Sequence, residues 1–223
     1  MRLDLAELID HTLLRPDAVR TDFERLCRES AQHSFATVCV NSAHVALCTA
    51  LLEDCQVPVA ATVGFPLGAA SSASKAAEAA QAVRDGATEL DMVCAIGALK
   101  EGDRDRFQAD VRAVVQAAEG RAVKLILETC LLDDAEKRRG AEWAIQSGAA
   151  FVKTSTGFAA GGATESDVRL LRAVAGQEHG VKASGGIRDA ETADRMIAAG
   201  ANRLGTSAGV AIVTGLPPEP RGY

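Results

Sequence analysis

Eight short runs rich in Val, Ile, Leu and Thr recur along this chain, each followed by a segment of helical periodicity, and that alternation limits the folds open to it. The runs are residues 8–12, 36–41, 59–65, 89–94, 123–128, 151–156, 181–187 and 202–207. Several are nearly continuous apolar stretches, as expected of strands covered on both faces. Eight such strands, about thirty residues apart and alternating with helices, make up a (β/α)8 barrel. An open doubly wound sheet is the competing arrangement, but no GxGxxG follows the early strands, where that fold places it. The expected fold is therefore α/β, a single (β/α)8 TIM barrel over residues 1–214. Residues 215–223, which hold Pro217, Pro218, Pro220 and the chain's one tyrosine, read as a flexible tail.

The helices have legible ends. Thr21 and Glu24 have the spacing of a capping box, after which Phe23, Leu26, Cys27 and Ala31 share one face. Helices are expected over 74–85, 103–119, 133–147, 164–175 and 189–199. Gly86, Gly120, Gly148, Gly176 and Gly200 follow them, suited to the left-handed residue that commonly ends a helix.

Composition narrows the function. With 24 basic against 30 acidic residues, a net charge of -6 and 4% aromatics, the chain lacks the basic footprint that nucleic acid requires. The uncharged stretches 30–52 and 55–74 are broken by His, Asn, Pro, Gly and Ser, so neither is a bilayer span. Acids interrupt the first seven residues, unlike a signal peptide. A soluble cytoplasmic protein is expected, without nucleic-acid or membrane partners. Six cysteines without a CxxC fit reduced thiols, and four histidines without HxH or HxxxH spacing point to no metal site.

In this fold reactive groups lie at the C-terminal ends of strands. Lys153 and Lys182 each fall inside a strand, where an ammonium is costly to bury. They occupy consecutive strands, so their side chains can meet inside the barrel. Two ammonium groups ~4 Å apart repel by roughly 4 kcal/mol at an effective dielectric near 20. At ~1.4 kcal/mol per unit, that lowers one lysine by up to about three pKa units, and desolvation acts in the same direction. A lysine driven towards neutrality is an amine nucleophile for carbonyls. The spacing alone leaves open which of the two attacks. Asp91 is a third charge within a strand, suited to pairing with Lys182 or relaying a proton. Asp10 is a weaker candidate of the same kind, while Lys124 and Glu128 are expected to pair with rim charges. Glycines and hydroxyls after the late strands, in 155–157, 184–186 and 205–207, suggest a cradle for an anion such as phosphate, with Arg188 as a nearby cation. Cys39 reads as a core thiol near the pocket.

The motifs Ile9-Asp10-His11-Thr12-Leu13-Leu14, Val38-Cys39-Val40-Asn41, Gly64-Phe65-Pro66-Leu67-Gly68, Glu89-Leu90-Asp91-Met92-Val93, Lys153-Thr154-Ser155-Thr156-Gly157 and Lys182-Ala183-Ser184-Gly185-Gly186 follow in order through nearly the whole chain. Together they resemble the deoxyribose-phosphate aldolase family. The resemblance implies a class I aldolase without metal or cofactor. Such an enzyme cleaves 2-deoxy-D-ribose 5-phosphate reversibly to D-glyceraldehyde 3-phosphate and acetaldehyde, in deoxynucleoside catabolism. It makes Lys153 the Schiff-base lysine, Lys182 its tuning lysine and Asp91 the proton-handling acid, working with water. It assigns Asp10, Thr156, Gly157, Gly185, Gly186 and Ser207 to the phosphosugar substrate. Tyr223 would assist proton transfer from the tail, and a homodimer is compatible with the family. Ala208, Cys94, Ser42 and Arg15 depart from the commonest pattern, and Ala208 removes one phosphate ligand. The rivals are an isomerase using Asp91 and Asp10 as an acid/base pair, and a silent phosphometabolite-binding protein. Neither requires paired strand lysines.

Overall fold

The computed structural model describes residues 2–217. Eight parallel strands close into a barrel in chain order, with the last paired back onto the first. They are β1 (Ile9–Leu13), β2 (Thr37–Asn41), β3 (Val59–Val63), β4 (Glu89–Val93), β5 (Ala122–Ile126), β6 (Phe151–Lys153), β7 (Gly180–Ser184) and β8 (Arg203–Thr206). Each expected run overlaps one of them, and β1, β5 and β7 each extend one residue past the expected bounds, at Leu13, Ala122 and Gly180. The runs at 151–156 and 181–187 overshoot because Thr154–Thr156 and Gly185–Ile187 lie beyond the strand ends, in loops at the barrel mouth.

The helices are α1 (Leu3–Ala6), α2 (Arg20–His33), α3 (Val45–Leu51), α4 (Ser72–Arg84), α5 (Ile96–Glu101), α6 (Arg104–Ala117), α7 (Asp134–Gln146), α8 (Glu165–Ala175), α9 (Ala190–Ala198) and α10 (Gly209–Thr214). The short α1, α3, α5 and α10 were not among the expected helices, since four to seven residues carry too little periodicity to read. Local side chains fix the longer ones. Asp133 accepts from the Glu136 amide at 2.8 Å and Glu136 accepts back from the Asp133 amide at 2.9 Å, a reciprocal cap for α7. Thr164 and Asp189 cap α8 and α9 in the same position.

The expected box at Thr21 and Glu24 is corrected. Helix α2 begins at Arg20, with Val19 as its N-cap two residues earlier than Thr21, and Asp22, itself bound by Arg15, accepts from the Val19 amide at 3.0 Å. Glu24 instead takes a hydrogen bond from Arg20. All five glycines expected to close helices have positive φ, between 61° and 114°.

Period-two alternation divides each strand between two environments. Ile9, Val38, Val40, Leu90, Met92, Val123, Leu125, Val152, Val181, Ala183 and Leu204 join the core between barrel and helices. The residues between them, including Asp10, Asp91, Lys124, Lys153 and Lys182, face the barrel interior, where their side chains meet across strands. The interior is thus charged where such barrels usually stack branched apolar side chains.

One further buried ion pair joins the outer layer. Lys75 of α4 donates to Asp110 of α6 at 2.7 Å and to the Val93 carbonyl at 3.0 Å, and Ser72 donates to the other Asp110 oxygen. Breaking such a pair leaves an uncompensated buried charge, while removing both partners does not. Asp110→Ala is therefore expected to lower unfolding free energy by about 3–5 kcal/mol, and the Lys75→Met/Asp110→Leu double variant to stay within about 1 kcal/mol of wild type. Urea unfolding followed by circular dichroism measures both.

Candidate active site

Strand register brings the two lysines side by side. Lys153 ends β6 and pairs in register with Lys182, the third residue of β7. Asp91, the third residue of β4, is in register with Lys124 on β5. All four side chains are buried. Lys153 donates to Asp91 Oδ2 at 2.7 Å, Lys182 donates to the same oxygen at 2.6 Å, and Lys124 donates to Oδ1 at 2.8 Å. Lys182 also donates to Asp10, whose other oxygen accepts from Arg203 at 2.8 Å. Space for this crossing comes from β8. A Cβ on Gly205 would lie 2.9 Å from Lys182 Cε and 3.0 Å from Ser184 Cβ, so an alanine there would press on the lysine stem.

The two lysines differ in what surrounds them. Burial pushes Lys153 below the usual lysine range and the charge of Lys182 adds to the effect, while its one carboxylate, Asp91, is shared with two other ammonium groups. Burial also opposes the charge on Lys182, but Asp10 and Asp91 together outweigh it and hold that ammonium well above the usual range. Asp91 is buried, which alone would raise it, yet Lys124, Lys153 and Lys182 hold it well below the ordinary carboxylate range. Asp10 is likewise held down by Lys124, Lys182 and Arg203 against its burial. The surroundings thus set the two lysines apart in opposite directions, Lys153 towards the free amine and Lys182 towards the ammonium.

Asp10 is fully buried and engaged by Lys182 and Arg203, which places it behind Lys182 and not at the open surface of the mouth. Lys124, expected at the rim, is instead fully buried on the inward face, with Asp91, Glu89 and Asp10 around it. Its register with Asp91 and the period-two parity of β5 were the signals that could have placed it there. Glu128 likewise pairs with no rim cation among the described residues. It accepts from the Thr156 amide at 3.2 Å and from the Thr156 hydroxyl, and so fixes the loop after β6. Cys39 is fully buried beside this cluster, its thiol raised by burial.

The late loops are tied to one another. The Ala163 amide donates to the carbonyls of Ser184 and Gly185 at 3.0 Å each, and Thr206 donates to the Ile187 carbonyl at 2.7 Å. A Cβ on Gly162 would lie 2.3 Å from the Gly185 carbonyl oxygen, so only glycine permits this approach. Gly157, Gly185, Gly186 and Ser207 therefore lie on three adjacent, cross-linked loops. Around an added Cβ at Gly186 there is open space, which leaves its backbone accessible. Tyr223 lies outside the described residues. Among the described residues no group of three or more His, Cys, Asp or Glu side chains is arranged to hold a metal ion, and no helix is long and apolar enough to cross a membrane.

A closed parallel barrel with a proton-poor lysine beside an ammonium and a carboxylate is an enzyme framework suited to amine attack on a carbonyl. The chain belongs to the DeoC/LacD family of aldolases, whose family pattern matches residues 5–215. It is 54% identical over 217 residues to deoxyribose-phosphate aldolase 1 of Bacillus licheniformis, covering 97% of each chain. It is 53% identical over 214 residues to the deoxyribose-phosphate aldolase of Exiguobacterium sibiricum, covering 96% of this chain and 97% of the relative. Among solved structures, the tetrameric deoxyribose phosphate aldolase of Aeropyrum pernix superposes with a TM-score of 0.89 at 35% identity, covering 95% of this chain and 90% of that one.

The ion arrangement fixes the sign of a pH effect. Lys182→Leu removes a repelling charge from Lys153 and frees a share of Asp91, and both changes favour the Lys153 ammonium. The acid limb of the kcat/KM profile for aldol cleavage is therefore expected to move to higher pH, with activity near neutrality lowered. A pH series on the wild type and the variant measures it.

Proposed function

We propose that this chain is a class I aldolase that cleaves 2-deoxy-D-ribose 5-phosphate reversibly to D-glyceraldehyde 3-phosphate and acetaldehyde. The observation that carries the reading is the unequal lysine pair, with Lys153 depressed and Lys182 held charged around one shared carboxylate. The names of the relatives supply the substrate class.

The neutral Lys153 amine adds to the C1 aldehyde of the open-chain sugar. Loss of water from the carbinolamine then gives an iminium. The proton of the C3 hydroxyl leaves through a water positioned by Asp91 and Lys182. The C2–C3 electron pair moves into the iminium, and glyceraldehyde 3-phosphate departs. The remaining enamine takes a proton at C2, and water hydrolyses the resulting iminium to free acetaldehyde and regenerate the Lys153 amine. Asp91 is too acidic to keep a proton for long, so its work is to stay anionic beside the iminium and hold the relaying water. Lys182 stays protonated and polarises the same water, which carries the C3 hydroxyl proton on to C2 of the enamine.

Gly157, Gly185, Gly186 and Ser207 receive the phosphate, on backbone amides and one hydroxyl, with Thr156 held in place by Glu128. Asp10 acts on the substrate indirectly, by fixing Lys182. Tyr223 is assigned to proton transfer at the enamine carbon, by resemblance.

Borohydride reduction in the presence of deoxyribose 5-phosphate, followed by peptide mass mapping, is expected to place the adduct on Lys153. Lys153→Ala should lose turnover while keeping its circular dichroism spectrum, and near-normal turnover would overturn the reading. An isomerase or a binding protein would give no adduct. Tyr223→Phe is expected to slow deuterium exchange at the acetaldehyde methyl carbon with little change in phosphate affinity, measured by proton NMR.

A further inference from the structure

The charged network does not stop at the lysine pair. Glu89 opens β4 and Arg203 opens β8, at the N-terminal end of the barrel opposite the mouth. Arg203 donates to Asp10 at 2.8 Å and to the two oxygens of Glu89 at 3.0 and 3.3 Å, and its guanidinium lies over the Phe151 ring. Lys124 sits between the layers, 2.6 Å from Glu89, 2.8 Å from Asp91 and 3.4 Å from Asp10. Contacts therefore run unbroken from Arg203 and Glu89 at the floor, through Lys124 and Asp10, to Asp91, Lys182 and Lys153. Only the floor pair is partly exposed, with side chains 16% and 18% accessible for Arg203 and Glu89. The remaining members are buried or nearly so.

The ions in this column balance in a specific way. Asp10, Glu89 and Asp91 supply three negative charges, and Lys124, Lys182 and Arg203 supply three positive charges. Lys153 is the seventh member, and its ammonium would be a surplus charge. We propose that Lys124, Glu89 and Arg203 are positioning residues that neutralise the barrel interior only while Lys153 is uncharged, and so hold Lys153 as the free amine from the far end of the barrel. Lys124 is the coupling element. It orients Asp91 through Oδ1, leaving Oδ2 for Lys153 and Lys182, and it carries the floor charge inward. The groups facing Lys153 directly are Asp91 from β4, Lys182 from β7 and the Cys39 thiol from β2. Cys39 is kept uncharged by its burial and adds nothing to the balance.

The inference rests on Lys153 being the amine nucleophile, and it deepens that assignment. A merely structural role for the floor residues predicts loss of stability without a directed change at Lys153. Charge balance predicts a sign for every variant. Glu89→Gln leaves the interior one negative charge short and should lower the pH midpoint of Lys153. Lys124→Met leaves it one positive charge short and should raise the midpoint. At separations of roughly 8 Å and an effective dielectric near 20, each shift is about one and a half pH units. The double variant Glu89→Gln/Lys124→Met should return close to wild type. Arg203→Met has the sign of Lys124→Met and stands in for it if the latter does not fold.

The midpoint is read without turnover, from the pH dependence of reductive methylation at Lys153 by formaldehyde and cyanoborohydride, resolved by peptide mass mapping. Opposite shifts in the single variants, cancelling in the double variant, are the expected result. Unmoved midpoints, or shifts in one common direction, overturn the inference. If the wild type traps deoxyribose 5-phosphate on Lys153 and the midpoints do not move, the charge coupling falls and the aldolase reading stands. If the wild type forms no adduct on Lys153, the aldolase reading falls, and the methylation midpoints still decide the coupling.

Discussion

Lysine amino groups from three neighbouring strands, β5, β6 and β7, converge on the carboxylate of Asp91 inside the barrel. Each would be costly to bury alone, and Asp91 is the one carboxylate they all share. Hydrophobic packing between strands and helices closes the barrel. It does not account for a charged interior, which stays closed only because opposite charges meet at hydrogen-bonding distance. The same sharing sets the three lysines apart. One carboxylate divided among three cations cannot hold all of them protonated equally strongly. Lys182 has Asp10 as a second anion and Lys124 has Asp10 and Glu89, so the deficit falls on Lys153. Stability and reactivity therefore come from one arrangement of ions.

Much of this was legible in the sequence, for identifiable physical reasons. The eight strands were readable because both faces of a parallel barrel strand are covered, which leaves runs of Val, Ile and Leu that a surface strand would not show. Lys153, Lys182 and Asp91 stood out because ions are rare inside such runs. The glycines that end the long helices were visible because few residues accept positive φ. The short helices α3, α5 and α10 were not visible, since two turns or fewer carry no clear period and owe their form to tertiary contacts.

The more instructive miss was Lys124. A lysine in Ala122–Ile126 reads as a side chain that reaches the rim, because burial of one ion is judged without knowledge of its partners. The partners Asp10, Glu89 and Asp91 lie 114, 35 and 33 residues away in sequence, and closure of the sheet brings them together. Glu128 was misread for a related reason: its partner is the Thr156 amide and hydroxyl, a backbone and side-chain pair on the next strand's loop, not a cation. Local sequence identifies unusual residues well. Which of them compensate one another is set by register.

The ions that set Lys153 all stand on strands, whereas Gly157, Gly162, Gly185, Gly186 and Ser207 stand on loops tied mainly by backbone hydrogen bonds. On the proposed reading, recognition and reactivity occupy separate structural layers of one chain. Loop sequence can drift towards other aldehydes while the amine below keeps its temper, provided the close passage of Gly162 against Gly185 survives. In a barrel built this way, substrate range is a property of the rim and reactivity a property of the staves, and the two are open to separate inheritance.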